Sequence, residues 1–278
     1  MEKTPQKLLE QFNKISFYVV AHADDWQLFM QPNVYRDVVA HGCKVVLIIT
    51  TAGDAGMGDN YWPAREEGSK SSVRFCLASL SVFSEYDGDK KFNNHCIHYW
   101  SAHNTTSYFL RLPDGNLDAN GFPTCNFQSL LKFKLGQINA INAIDNSTTY
   151  PSWADLVTTI ESIIDVESED IPNRWIHYQN PDTTVNPNDH PDHIMTGRAI
   201  QSMTIITSLY QLLFVGYSVS SVAGKLALTD LFWKAGIFAA YEKAVYDLCG
   251  YSTLREDSDL YVSWCSCKPG FLEISPTL

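Results

Sequence analysis

The stretch ISFYVVAHADD, Ile15 to Asp25, decides how this chain is read. Its first six residues form an apolar run rich in β-branched and aromatic side chains, the pattern of a strand covered on both faces. The residues after that run are chemically loaded: His22, Asp24 and Asp25 stand where the strand ends. In open parallel sheets ligands bind just beyond the carboxyl ends of the strands. A histidine and two adjacent carboxylates are therefore delivered to the edge where chemistry takes place.

The next segments complete a βαβ unit. Asn33–His41 puts Val34, Val38 and Val39 on one helical face, and Gly42 stops that helix as a C-terminal glycine does. Cys43–Thr50 (CKVVLIIT) is a second buried strand, which the intervening helix makes parallel to the first. The Gly- and Asp-rich loop TAGDAGMGDN, Thr51–Asn60, leads to a helix starting near Pro63 and running to about Leu80.

Further along, His95–Trp100 reads as a short strand. Thr105–Phe122, with Pro113-Asp-Gly and Asn120-Gly, reads as mostly loop. A helix from Ser152 or Asp155 to about Val166 aligns Leu156, Ile160, Ile163 and Ile164. Trp175–Tyr178 is a strand, and the polar loop 179–190 after it is long enough to suggest a function. A helix then starts at Pro191, Gln211–Tyr217 is a strand, and a helix over 223–249 is expected to bury Trp233, Ile237, Ala240, Ala244 and Leu248. No repeat or linker interrupts the pattern, so residues 1–278 read as one α/β domain.

Composition narrows the function. With 278 residues, 45% of them hydrophobic, the chain can bury a core without disulfides. Its net charge of −11 comes without a basic stripe, which argues against nucleic acid and against polybasic membrane contacts. No run reaches the roughly 18 apolar residues of a membrane span. Residues 1–14 lack the apolar middle of a signal peptide. Seven scattered cysteines, an odd number, suggest free thiols in a reducing cytoplasm.

The second loaded segment is His190-Pro191-Asp192-His193, where the long polar loop meets its helix. Catalytic zinc takes three protein ligands from His and Asp or Glu and keeps a position for water. His22, Asp25 and His193 would supply such a set for one divalent ion per chain. Asp24 and His190 would then stand beside it for proton transfer. Asp54 and Asp114 sit in turn-forming sequence, Asp114 in a loop that could also line the site. Tyr61, Trp62 and Trp26 are candidates for an aromatic platform or for core.

The strand followed by AHADD, then TAGDAG, then AREE opening a helix, then HPDH, resembles the PIG-L (LmbE-like) family of zinc-dependent N-deacetylases from about residue 15 to 200. The resemblance implies a Rossmann-like three-layer α/β sandwich with a mostly parallel sheet. It implies hydrolysis of an N-acetyl group on a small amino sugar or glucosamine conjugate. It gives His22, Asp25 and His193 as zinc ligands and Asp24 as general base. His190 matches the histidine that steadies the tetrahedral intermediate or donates a proton, and Arg65 matches a substrate-contacting position.

Two positions depart from the family pattern. Trp26 replaces a glutamate after the Asp pair and is expected to change packing or offer a stacking surface. Asn188 replaces a tyrosine that helps hold the oxyanion, a role its amide could fill. The expected chemistry has Asp24 take the water proton while zinc and a protonated His190 stabilise the oxyanion. Either Asp24 or His190 protonates the amine. Two other readings stay open: an amidase acting on a non-sugar acyl amine, and a binding module without turnover. No GxGxxG motif comes after the first strand, which weakens a dinucleotide role.

Overall fold

The computed structural model describes residues 12–277 except 79, 81 and 223; most of the N-terminal stretch that lacks a signal-peptide core lies outside them. The strands are β1 (Lys14–Val20), β2 (Cys43–Thr51), β3 (Glu85–Phe92), β4 (His95–Ala102), β5 (Thr105–Leu112), β6 (Ile141–Asn142), β7 (Thr149–Tyr150), β8 (Asn173–Gln179), β9 (Tyr210–Phe214) and β10 (Phe271–Ile274). The helices are α1 (Asp25–Phe29), α2 (Asn33–Val39), α3 (Tyr61–Leu77), α4 (Leu130–Lys134), α5 (Trp153–Glu167), α6 (Pro191–Gln201), α7 (Val219–Val222), α8 (Leu228–Cys249), α9 (Thr253–Glu256) and α10 (Ser258–Ser266).

Eight strands form the main sheet in the order β10-β9-β8-β1-β2-β5-β4-β3. From β9 to β5 every pairing is parallel, and β10, β4 and β3 join antiparallel at the two edges. The expected βαβ unit is present, with Val20 beside Ile49. Alternation along β1 sends Ile15, Phe17 and Val19 to one face and Tyr18 and Val20 to the other. On the first face they pack with Leu156, Ile160 and Ile163 of α5 and Ile200 of α6. On the second they pack with Val73 of α3 and Ile237 and Tyr241 of α8. The result is a three-layer α/β sandwich.

The topology positions the site. Strand β1 lies between β2 and β8, so the chain leaves in opposite directions from the carboxyl ends of β1 and β8. That divergence opens a crevice at the switch point. The segments after these two strands are AHADD and the loop ending in HPDH.

Two sequence expectations are corrected. Thr105–Leu112 is not loop but β5, a central strand paired with β2; its turn signals begin only at Pro113, after the strand has ended. In α8 the buried stripe is Ile237, Phe238, Tyr241 and Val245, while Leu248 is exposed. The face is turned because α8 also buries Lys234 and Glu242. Lys234 Nζ donates to the carbonyls of Trp264 and Cys267, and Glu242 accepts from Ser252 and Thr253. These polar contacts hold the C-terminal helices against α8.

Candidate active site

At the end of β1 the chain turns sharply into α1. The backbone N–H of His22 donates to Asp25 Oδ2 at 2.7 Å, which fixes the Asp25 carboxylate beside the His22 ring. Across the crevice, His190 is the N-cap of α6, and its Nδ1 accepts the N–H of Asp192 at 3.1 Å. The ring proton of neutral His190 is thereby left on Nε2. Helix α6 is seated by Thr196 Oγ1, which lies 2.7 Å from Thr50 Oγ1 of β2.

These elements bring His22, Asp25 and His193 together. His22 Nδ1 lies 3.2 Å from His193 Nε2, Asp25 Oδ1 lies 3.0 Å from His193 Nε2, and it lies 3.6 Å from His22 Nδ1. For bonds of 2.0–2.1 Å in a tetrahedral site, neighbouring ligand atoms stand about 3.3 Å apart. The three atoms match that spacing, and all three residues are buried. Two imidazole nitrogens facing each other beside a carboxylate form a donor set that a shared proton or a metal ion can bridge. Burial works against the imidazolium of His193, but Asp189 and Asp25 outweigh it and raise its pKa to about 10. Burial likewise opposes charge on His22, and Asp25 foremost reverses it, so that pKa also rises.

A second group, His22, Asp114, His190 and Asp192, also clusters. Its spacing is wider: His22 Nε2 stands 3.5 Å from Asp192 Oδ2 and 4.0 Å from Asp114 Oδ2. His22 could serve both groups at once only by losing its second ring proton. With Nδ1 committed to a metal, Nε2–H would face Asp192 Oδ2 at 3.5 Å, an oxygen that also accepts the N–H of Gly115. The second group therefore fits the role of orienting His22 and His190 better than that of holding its own ion.

Asp24 lies beside the first group and is engaged by Arg65. The guanidinium donates through Nε to Tyr241 Oη at 2.8 Å, through Nη1 to the carbonyl of Gly53 at 2.7 Å, and through Nη2 to Asp24 Oδ1. Gly53 is required there: it has φ +57°, and a Cβ on it would sit 2.4 Å from Arg65 Nη1. Arg65 is thus a buried positioning group for Asp24, and it also lines the cavity. Burial, and then the proximity of His22, hold His190 near a pKa of about 4. In the metal-free protein the ring is therefore neutral and can donate through Nε2–H, where the sequence reading has it protonated.

Two expected substrate contacts are also corrected. Trp26 is fully buried, and its Nε1 donates to Ser69 Oγ at 2.9 Å, so it ties α1 to α3 instead of offering a stacking face. Asn188 is exposed on the loop with φ +56° and does not line the cavity. The left-handed turn at Asn188 aims the next residue, Asp189, at His193, with Oδ1 2.9 Å from Nδ1. Asp54 proves to be a turn organiser, accepting the N–H groups of Gly56 and Asp114.

The cavity above these groups holds about 280 Å³. Its floor is His22, Asp24, Asp25 and His190. Asp114 joins it from the loop after β5, and Tyr217, Tyr251, Tyr261 and Trp264 form a wall from the C-terminal part of the chain. Sequence reasoning missed Asp189, Asp192 and this wall. The i, i+4 spacing of Asp189 and His193 was the one available signal for the first. None of the seven cysteines forms a disulfide. Among the described residues no helix is long and apolar enough to cross a membrane.

Known proteins share this arrangement of elements. The sequence profile of the GlcNAc-PI de-N-acetylase (PIG-L) family matches residues 17–204. No curated protein sequence matches the chain. Among solved structures, a deacetylase of the teicoplanin biosynthesis pathway is similar at 11% identity, covering 90% of each chain with a TM-score of 0.50. N,N'-diacetylchitobiose deacetylase from Pyrococcus horikoshii is similar at 13% identity, covering 96% of this chain and 87% of that one, with a TM-score of 0.48. At these identities the likeness is one of fold.

Proposed function

The chain belongs to the PIG-L family and is a deacetylase hydrolase, and from that premise we propose that it is a zinc-dependent, cytoplasmic N-deacetylase of an amino sugar or glucosamine conjugate. The observation that carries this reading is the triangle of His22 Nδ1, His193 Nε2 and Asp25 Oδ1, with sides of 3.0 to 3.6 Å, at the base of a cavity that also holds Asp24. Two imidazoles and one carboxylate at tetrahedral spacing suit zinc, which keeps a further position for water. Bound there, the ion would lower the pKa of a water to about 7 and polarise the acyl carbonyl.

The residues of the chain then divide the remaining work. Asp24, steadied by Arg65, accepts the proton of the attacking water as general base. His190 donates its Nε2–H to the carbonyl oxygen as negative charge develops on it. Because His190 is held neutral, giving up that proton would leave an anionic ring. Protonated Asp24 therefore returns its proton to the departing nitrogen, and the amide C–N bond breaks to give acetate and the amine.

The test is metal analysis joined to product analysis. Purified protein should hold one zinc per chain and release acetate from N-acetylglucosamine derivatives, with activity lost to a chelator and restored by zinc. Absence of any bound divalent ion, or release that ignores the chelator, would sink the reading.

A further inference from the structure

We propose that the aromatic wall built by Tyr217, Tyr251, Tyr261 and Trp264 is the specificity element of this enzyme, selecting an uncharged sugar ring and turning away phosphate-bearing substrates. The proposal rests on the chain being an amino-sugar deacetylase. All four residues lie beyond residue 204, where the family match ends, yet they line the same cavity as Asp24.

The wall is a fixed surface. Trp264 stacks on Tyr217 with centroids 4.6 Å apart and planes at 17°, and its Nε1 donates to the Tyr217 carbonyl at 3.2 Å. Tyr261 meets Trp264 edge-on at 5.1 Å, and Tyr251 meets Tyr61 edge-on at 5.1 Å. Buried Lys234 holds the carbonyls at the end of α10, which keeps Trp264 in place. Aromatic faces of this kind take the apolar face of a pyranose while a hydroxyl serves its polar rim.

Charge supplies the second half of the argument. Recognition of phosphate calls for Arg or Lys or for free backbone N–H groups at a helix N-terminus. Among the described residues Arg65 is the only Arg or Lys lining the cavity, and each of its nitrogens already donates, one of them to Asp24. Helix α6 contributes only its N-cap His190 to the lining, and that ring already accepts the Asp192 N–H. Against this stand the carboxylates of Asp24, Asp25 and Asp114. With zinc bound, the ion and Arg65 would balance these three carboxylates, and no uncommitted Arg or Lys of the lining would remain to pair with a phosphate.

The test compares methyl N-acetylglucosaminide with N-acetylglucosamine 6-phosphate and 1-phosphate on the zinc-loaded full chain. The neutral glycoside should be preferred about tenfold or more in kcat/KM. Tyr261→Ala should raise its KM about tenfold with kcat within about twofold, and Tyr261→Phe, which keeps the ring, should raise it by less. Binding of the amine product, methyl glucosaminide, is read in parallel by isothermal titration, which needs no turnover. Weaker product binding in Tyr261→Ala, with glucosamine 6-phosphate bound more weakly than the neutral product by wild type, supports the proposal even if acetate release fails; that failure would count against the deacetylase reading alone. Equal or better use of the phosphates, or unchanged product binding in both Tyr261 variants, overturns it.

Discussion

Asp189 Oδ1 lies 2.9 Å from His193 Nδ1 and also accepts the backbone N–H of Tyr217 at 3.0 Å. The carboxylate is buried and braced on its other oxygen by Asn186 Nδ2 at 2.5 Å. Hydrogen bonding of this kind fixes both the tautomer and the orientation of a ligating histidine. It turns His193 Nε2 toward Asp25 and His22, where loss of its proton would expose a lone pair to a metal ion.

The first prediction concerns that bond. Asp189→Asn should weaken zinc binding by about 10–100-fold, because an amide holds the ring less firmly and lends it less basicity. Competition with a chromophoric chelator measures it. Affinity equal to wild type would mean that the carboxylate serves only the loop.

The second concerns Asp24, whose partner is Arg65. Asp24→Asn keeps the shape of the side chain but removes its basicity. Turnover should fall by about 10²–10⁴-fold while zinc stays bound at one per chain. Loss of the metal in this variant would show that Asp24, not Asp25, is the ligand.

How much of the site is legible in the sequence depends on where each signal resides. The strand ISFYVV and the loaded segments AHADD and HPDH carry their meaning locally, in period and in residue type, and the parallel β1–β2 pair and the His22–Asp25–His193 group are readable from them. Trp26 misleads because its neighbours in sequence line the cavity while its own side chain turns under α3 to Ser69. Asn188 misleads because a single left-handed residue decides which side chain faces the site. Tyr251, Tyr261 and Trp264 reach the cavity only because Lys234 and Glu242 pin the C-terminal segment to α8. Contacts between residues distant along the chain leave no periodic trace.

The third prediction tracks protons. Without metal, Asp189 and Asp25 outweigh burial and keep His193 protonated up to about pH 10, against about 6.5 in an unfolded chain. A ligating imidazole must be neutral, so zinc binding expels a proton at neutral pH. Affinity should therefore rise with pH towards about 10, and zinc added to weakly buffered protein should acidify the solution. The folded value is raised, so the stability it contributes to metal-free protein is full below about pH 6.5 and is lost as pH climbs towards 10. Thermal melts across that window should show Tm falling for the metal-free protein and a flatter curve for the zinc form. Parallel curves would place the proton elsewhere.

The last prediction ties the packing of α6 to the chemistry. Gly197 lies one turn after His193, and a Cβ there would stand 2.3 Å from the backbone carbonyl of Gln179 and 3.0 Å from Pro181 Cδ. Gln179 ends β8 inside the sheet, so the strand does not give way and the helix must. Gly197→Ala should cost about 1–3 kcal/mol through overpacking. The same displacement should carry His193 out of the triangle it makes with His22 and Asp25, weakening zinc binding about tenfold or more. Gly250→Ala provides the contrast: Gly250 ends α8 at φ +75° with no atom near its Cβ position. That substitution costs about 1–2 kcal/mol of backbone strain and should leave zinc affinity as it was. If both variants lose stability and neither loses affinity, the position of α6 does not govern the metal site.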